Sequence, residues 1–299
     1  MNNNLRNRAR TTWLVAAALV FVVAIPLRAE VGTVDIEGNG SYVQAIIDDP
    51  DPVNTGVVWR RHSPAGSRRI VLNEQGEANG DGDPSVLYNS YDRMPVVAWA
   101  RNSEQGFDVV VSRFADGMWS VPVVLAGSPA DELDPALALD STNGSVHVVY
   151  WINDGSPRVV HRQAPADLSS WSAPVVVSPP GEIAARPSVT LHGGALRVVY
   201  EAHNLVLGGT PRQIVLATDT GAGFSTEVLA TSGNPGPNRP QVHGGPTGLW
   251  AEWVDAELEM SWTHEQPGGG WEPLEAEPFS NLEERDYFVR GRIRARATE

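Results

Sequence analysis

The chain has 299 residues, 41% of them hydrophobic, and 22 basic against 36 acidic residues give a formal net charge of −14. It contains no cysteine, which excludes disulfides, thiolate metal sites and thiol nucleophiles. Because an acidic surface repels phosphates, we expect no nucleic-acid partner.

The N-terminal segment has the layout of a secretory signal. Three arginines precede an apolar run over residues 13–25, and a short stretch ending in Ala29 precedes the first acidic residue, Glu30. The run is short for a membrane span. We expect residues 1–29 to be a signal peptide cleaved near Ala29, and the mature protein to be secreted or periplasmic with no membrane span. An uncleaved N-terminal membrane anchor is the alternative.

From Pro84 onward, one pattern of residues returns every 51 to 53 residues. A proline marks each unit, and a Gly- or Asn-containing turn and a β-branched run ending in an aromatic residue follow it. A third run and a fourth that opens with an aromatic residue complete the unit. Four short strands per unit predict the blade of a β-propeller. The marker prolines are Pro84, Pro135, Pro187 and Pro240.

Residues 41–75 match the later strands of one more blade, whose first strand is not recognisable ahead of them. The spacing of the units assigns residues 286–297 to that place. We therefore predict one all-β domain, residues 30–299, folded as a five-bladed β-propeller of four-stranded antiparallel blades and closed by the C-terminal strand. Six blades are the alternative. The predicted blades are residues 41–75 with 286–297, 84–126, 135–178, 187–230 and 240–277.

The units resemble the repeats of sialidase-like propellers, most clearly in GSVHVVYWINDGSPRVVHRQAPADLSSWSAPVVVS, residues 144–178. The resemblance covers residues 41–297 and implies the fold more than an activity. In SRFADGMW, Phe114 stands where the sialidase Asp-box has aspartate, and Asp116 where it has glycine. No third arginine joins Arg186 and Arg239 to bind a sialic acid carboxylate. The resemblance therefore implies a divergent, non-catalytic member.

A second resemblance is to the five-bladed furanosidases and xylosidases, whose blades open with carboxylates. Asp83 and Asp134 match this pattern, but Arg186 stands where the acid would be. An inverting glycosidase needs an acid and a base on opposite sides of the scissile bond. If the protein is an enzyme, Glu182 or Glu201 would have to supply the missing group.

A charged residue precedes each marker proline, and because inner strands line the channel of a propeller, we predict that these residues surround one mouth. With Trp151, they form our candidate ligand site. The alternative is that they end turns and neutralise one another. The charged residues are Asp83, Asp134, Arg186, Arg239 and, in the C-terminal segment, Asp286.

Oxygen-bearing side chains alternate at Asn79, Asp81 and Asp83, as in the first half of a calcium loop. Pro84 and Ser90 stand where such a loop needs glycine and glutamate. We therefore expect a solvated turn and no cofactor, with calcium as the alternative.

Two functions are compatible with these patterns. The first is an exported, non-catalytic propeller that binds a glycan, peptide or protein at its mouth. The second is a glycoside hydrolase that uses Asp83 and Asp134 with Glu201 or Glu182. Four tryptophans outside the repeat positions are available to stack on sugars. They are Trp59, Trp151, Trp250 and Trp262. The pattern leaves the oligomeric state open.

Overall fold

The computed structural model describes residues 31–38, 41–48, 56–73, 81–203, 212–232, 238–245, 248–254, 259–266, 268–273 and 275–277. Within these ranges the regular secondary structure is β-strand, and no helix has the length and apolarity that crossing a membrane requires. The strands form five antiparallel sheets, each built from consecutive strands of the chain. The sheets are the blades of a five-bladed β-propeller, as the repeat predicts.

The first two blades comprise nine strands. Blade 1 contains β1 (Val31–Gly38), β2 (Ser41–Asp48), β3 (Gly56–Ser63) and β4 (Gly66–Val71). Blade 2 contains β5 (Gly82–Asn89), β6 (Met94–Ser103), β7 (Gly106–Ala115), β8 (Met118–Trp119) and β9 (Val123–Ala126). Both β8 and β9 pair with β7, so the outer strand of blade 2 is divided into two short pieces.

The remaining three blades have four strands each. Blade 3 contains β10 (Asp131–Leu139), β11 (Val146–Asn153), β12 (Arg158–Ala164) and β13 (Val175–Val176). Blade 4 contains β14 (Ile183–His192), β15 (Ala195–His203), β16 (Arg212–Asp219) and β17 (Phe224–Ser232). Blade 5 contains β18 (Asn238–Gly245), β19 (Gly248–Val254), β20 (Met260–His264) and β21 (Glu275–Glu277).

The inner strand of blade 1 corrects one prediction. Strand β1 pairs antiparallel with β2, with Asp35 opposite Val43 and Ile36 opposite Tyr42, and it takes the place that the sequence assigns to residues 286–297. Residues 286–297 lie outside the described part of the chain. Strand β1 contains no marker proline, so the repeat does not indicate it. It pairs with β2 because it lies directly ahead of β2 in the chain and only a short turn separates the two strands.

The repeated aromatic residues hold neighbouring blades together. In blades 2 to 5, the repeated aromatic residue of the second strand is at most 2% exposed and packs against the blade before it. An aromatic residue burying this much surface is a major source of packing energy, which explains its return in every unit. The four residues are Trp99, Tyr150, Tyr200 and Trp253.

The marker prolines lie inside the inner strands and not at their starts. In blades 2 to 5 the register between the inner strand and its neighbour shifts at the marker, as between Leu133 and Ala136 in β10. A β-bulge accommodates the proline because the bulged residues leave the hydrogen-bonded ladder. Each inner strand therefore bends at its marker.

Candidate functional site

The four charged residues before the marker prolines share one backbone conformation. Asp83, Asp134, Arg186 and Arg239 have φ angles of 51°, 49°, 51° and 52°, in the left-handed region. This region is costly for residues other than glycine, and such strain clusters at functional sites. The bulge therefore turns each of these residues out of the regular strand at the equivalent position of its blade. We call these four residues the bulge ring.

Arg186 and Arg239 share one buried carboxylate. Glu201 on β15 lies opposite Ala185, and Nη1 of Arg186 donates to its two oxygens at 3.1 and 3.3 Å. Oε1 of Glu201 also accepts the backbone N–H of Arg239 at 2.7 Å, from the next blade. The Glu201 side chain is 3% exposed, whereas that of Arg186 is 44% exposed. The buried Glu201 therefore holds the side chain of Arg186 in place and links blades 4 and 5.

Asp134 has an analogous partner in blade 3. The indole Nε1–H of Trp151 donates to Oδ2 of Asp134 at 2.8 Å. Trp151 occupies the same repeat position as Glu201, directly after the buried aromatic residue of the second strand. In both blades, the residue after that aromatic holds the side chain of the bulge ring.

The charges of the ring lie close enough to act on Arg186. Burial works against the charged guanidinium, but the carboxylates of Glu201, Asp134 and Asp83 outweigh it and raise the pKa of Arg186. Three carboxylates and two guanidiniums give the bulge ring and Glu201 together a formal charge of −1. The two aspartates belong to blades 2 and 3 and the two arginines to blades 4 and 5, so acceptors and donors occupy different parts of the mouth and their charges nearly cancel.

Glu182 is not directed at the bulge ring. It directly precedes β14, and its Oε2 accepts the hydroxyl of Tyr200 at 2.9 Å. Tyr200 is part of the core shared with blade 3. Burial raises the pKa of Glu182, and the hydrogen bond from Tyr200 opposes the shift. Glu182 is thus tied into the packing between blades.

Asp81 also has a packing role. Its Oδ2 accepts Nε1–H of Trp99 at 3.1 Å, and its Oδ1 accepts the backbone N–H of Asn102 at 3.1 Å. These bonds use the oxygens that a calcium ion would need. Two further predicted residues, Asn79 and Asp286, lie outside the described part of the chain.

The members of this site were predicted from the sequence, but their pairings were not. In the structure Arg186 contacts Glu201, and Asp134 contacts Trp151. Their position in the repeat could have indicated the pairings, because the residue after the buried aromatic lies opposite the bulge in blades 2 to 5.

No protein-family model and no curated protein matches the chain. Solved structures do resemble it. A Hadza microbial sialidase, Hz136, has a TM-score of 0.51 and 13% identity over 78% of this chain. The chain spans 55% of that sialidase.

Two further structures have the same TM-score of 0.51. An N-acetylgalactosamine deacetylase from F. plautii, in complex with blood group B trisaccharide, is 13% identical over 79% of this chain and 80% of its own. A Dyadobacter fermentans protein of unknown function is 14% identical over 83% of this chain and 93% of its own. At these identities the likeness shows the propeller fold alone.

Proposed function

We propose that this propeller is an exported, non-catalytic protein that binds a glycan at the mouth formed by the bulge ring. The observation that carries the proposal is the pairing of Arg186 with the buried Glu201, beneath a half-exposed guanidinium. Such an anchored cation presents donors in fixed directions to a ligand. The signal-like N-terminus supports export.

The pairing of Arg186 with Glu201 is incompatible with Glu201 acting as a catalytic acid. A general acid must carry a proton and reach the scissile oxygen. Both oxygens of Glu201 accept hydrogen bonds from Arg186, and the side chain is 3% exposed. A residue in this position stabilises the mouth and cannot reach a bound sugar.

The charge of the mouth favours a neutral, hydroxyl-rich ligand. Neighbouring hydroxyls of a sugar both donate and accept, which suits a mouth that has carboxylates beside a guanidinium. An anionic sugar bound at Arg186 would be repelled by the carboxylates of Asp83 and Asp134, and the guanidinium of Arg186 is already paired with Glu201. Among structures with this fold are a sialidase and a deacetylase solved with a trisaccharide, which supports a glycan over a peptide or protein ligand.

Binding to an array of neutral oligosaccharides tests this function, followed by titration calorimetry of the best ligand. We expect Arg186→Gln and Asp134→Asn to weaken binding at least tenfold. Arg158→Gln is the matched control, because Arg158 pairs with Asp154 and lies on the third strand of blade 3, two strands outward from the inner strand that carries Asp134. Equal binding by all four proteins would disprove a site at the mouth.

A glycoside hydrolase is the second candidate, because Asp83 and Asp134 both act on Arg186 and so lie at one mouth. Aryl sialosides, arabinofuranosides and xylosides test it. We expect no turnover from the folded protein. Hydrolysis that Asp134→Asn abolishes would replace the binding proposal with an enzyme.

A further inference from the structure

A second cleft lies between blades 1 and 2, at the end of the propeller opposite the bulge ring. The turn between β3 and β4 and the turn between β5 and β6 form its walls. Strand β5 contains Asp83 near its start and reaches this cleft at Tyr88, about 16 Å further along at roughly 3.3 Å per residue. The cleft has a volume of about 450 Å³, and because it lies at the far end of β5 it is separate from the mouth.

The cleft is basic in an otherwise acidic protein. Arg61, Arg68 and Arg93 line it, and none of its described lining residues is acidic. The guanidinium of Arg68 lies over the ring of Phe114, 5.6 Å from the centroid, and forms no ion pair within the described chain. The carboxylate nearest in sequence to Arg93, Asp92, pairs with Arg113 at 2.6 Å. Among the described residues, the guanidiniums of Arg68 and Arg93 therefore have no carboxylate partner in the cleft.

The cleft also contains a buried donor without an acceptor. Trp59 lines it and is 2% exposed, and within the described residues its Nε1–H has no hydrogen-bond partner. Trp59 is held in place by Phe114, stacked at 6.1 Å between centroids, and by Trp119 at 5.5 Å. A buried indole N–H normally has an acceptor, because leaving it unpaired costs free energy.

We propose that this cleft, called the arginine cleft, binds an acidic saccharide through a carboxylate or sulfate group. The guanidiniums of Arg68 and Arg93 donate hydrogen bonds to the oxyanion, since their planar donors match its geometry. The volume is larger than a bare ion needs and falls in the range of organic ligands. Met94, Pro95 and Phe114 supply apolar surface for the carbon atoms of a sugar ring.

The test is a calorimetric titration of the full chain with two acidic probes, a heparin-derived tetrasaccharide and a glucuronate-containing disaccharide, and with neutral maltotetraose. Any binding of maltotetraose belongs to the mouth and should not change in variants of the cleft, whereas at least one acidic probe should bind saturably in the cleft. Arg68→Gln and Arg93→Gln should each weaken that binding about tenfold. The two acidic probes separate sulfate from carboxylate recognition.

Arg158→Gln removes a charge of the same kind elsewhere on the surface, and Asp134→Asn alters the mouth instead of the cleft. Both should retain the wild-type affinity for the acidic probe. The indole N–H resonance of Trp59 should shift during the titration in nuclear magnetic resonance spectra. The proposal is overturned if neither acidic probe binds at low salt, or if Arg158→Gln weakens binding as much as the cleft variants do.

Discussion

At the scale of single residues, two histidines form a buried pair in the interface of blades 3 and 4. Nδ1 of His147 and Nε2 of His161 are 3.0 Å apart, and Phe224 packs edge-on against His161. Burial lowers the pKa of both imidazoles, that of His161 to about 4. Asp140 and Asp219 oppose the shift at His147.

The pair predicts acid-sensitive folding. Because the folded pKa lies below the unfolded value of about 6.5, the unfolded chain takes up protons first as the pH falls. Stability is therefore fully present above pH about 6.5 and is lost between about 6.5 and 4. For His161 the loss is on the order of 3 kcal/mol by pH 4. Urea unfolding at a series of pH values measures it.

The variant His161→Gln removes this titration and retains a polar side chain. We expect the free energy of unfolding of the variant to fall less steeply with acid than that of the wild type. His203→Gln, at a half-buried position on blade 4, is the control and should keep the wild-type slope. Identical slopes in wild type and His161→Gln would contradict the assignment.

At the scale of elements, the inner strands derive their common shape from the bulge at each marker proline. Asp134 adopts a φ of 49° there and accepts Nε1–H of Trp151. Asparagine tolerates the left-handed region, whereas a β-branched residue does not. We expect Asp134→Val to lower the free energy of unfolding by about 2 kcal/mol and Asp134→Asn by less than about 1 kcal/mol.

Chemical denaturation of the two variants beside the wild type provides the measurement. Asp134→Asn also keeps an oxygen that can accept from Trp151, so it separates the function of the carboxylate from the shape of the strand. Equal stability of the valine and asparagine variants would show that the bulge does not constrain this position.

At the scale of the whole molecule, each blade needs its inner strand. Strand β1 completes the sheet of blade 1 and lies beside β5 of blade 2. A chain that begins at residue 41 would expose the backbone edge of β2 and the packing surface of blade 2. We expect it to unfold at least about 10 °C below a chain that begins at residue 30. Circular dichroism during heating measures the difference.

The chain beginning at residue 30 is the matched control, because it lacks only the signal-like segment. If both chains unfold at the same temperature, β1 contributes nothing to blade 1. A loss of all folded signal in the shorter chain agrees with the prediction as much as a lowered transition does.

The architecture could be predicted from the sequence because its signals are local. Short β-branched runs bounded by turn residues mark the strands, and each unit repeats a buried aromatic such as Trp99 or Tyr150 at one position. Copies of one unit bury the same surface against the same neighbour, so the number of copies predicts the number of blades. The members of the bulge ring were predictable for the same reason, because each precedes a marker proline.

The strand that completes blade 1 and the pairing of the charges depend on contacts between residues distant in the chain. Strand β1 has no marker, and its place depends on the backbone edge that β2 offers. Glu201 contacts Arg186 and the backbone of Arg239, which are 15 and 38 residues away along the chain. Such contacts depend on strand register and on how blades pack, and a register cannot be read from residue types alone. The packing of blades also placed the arginine cleft, since its walls come from two units that the sequence presents separately.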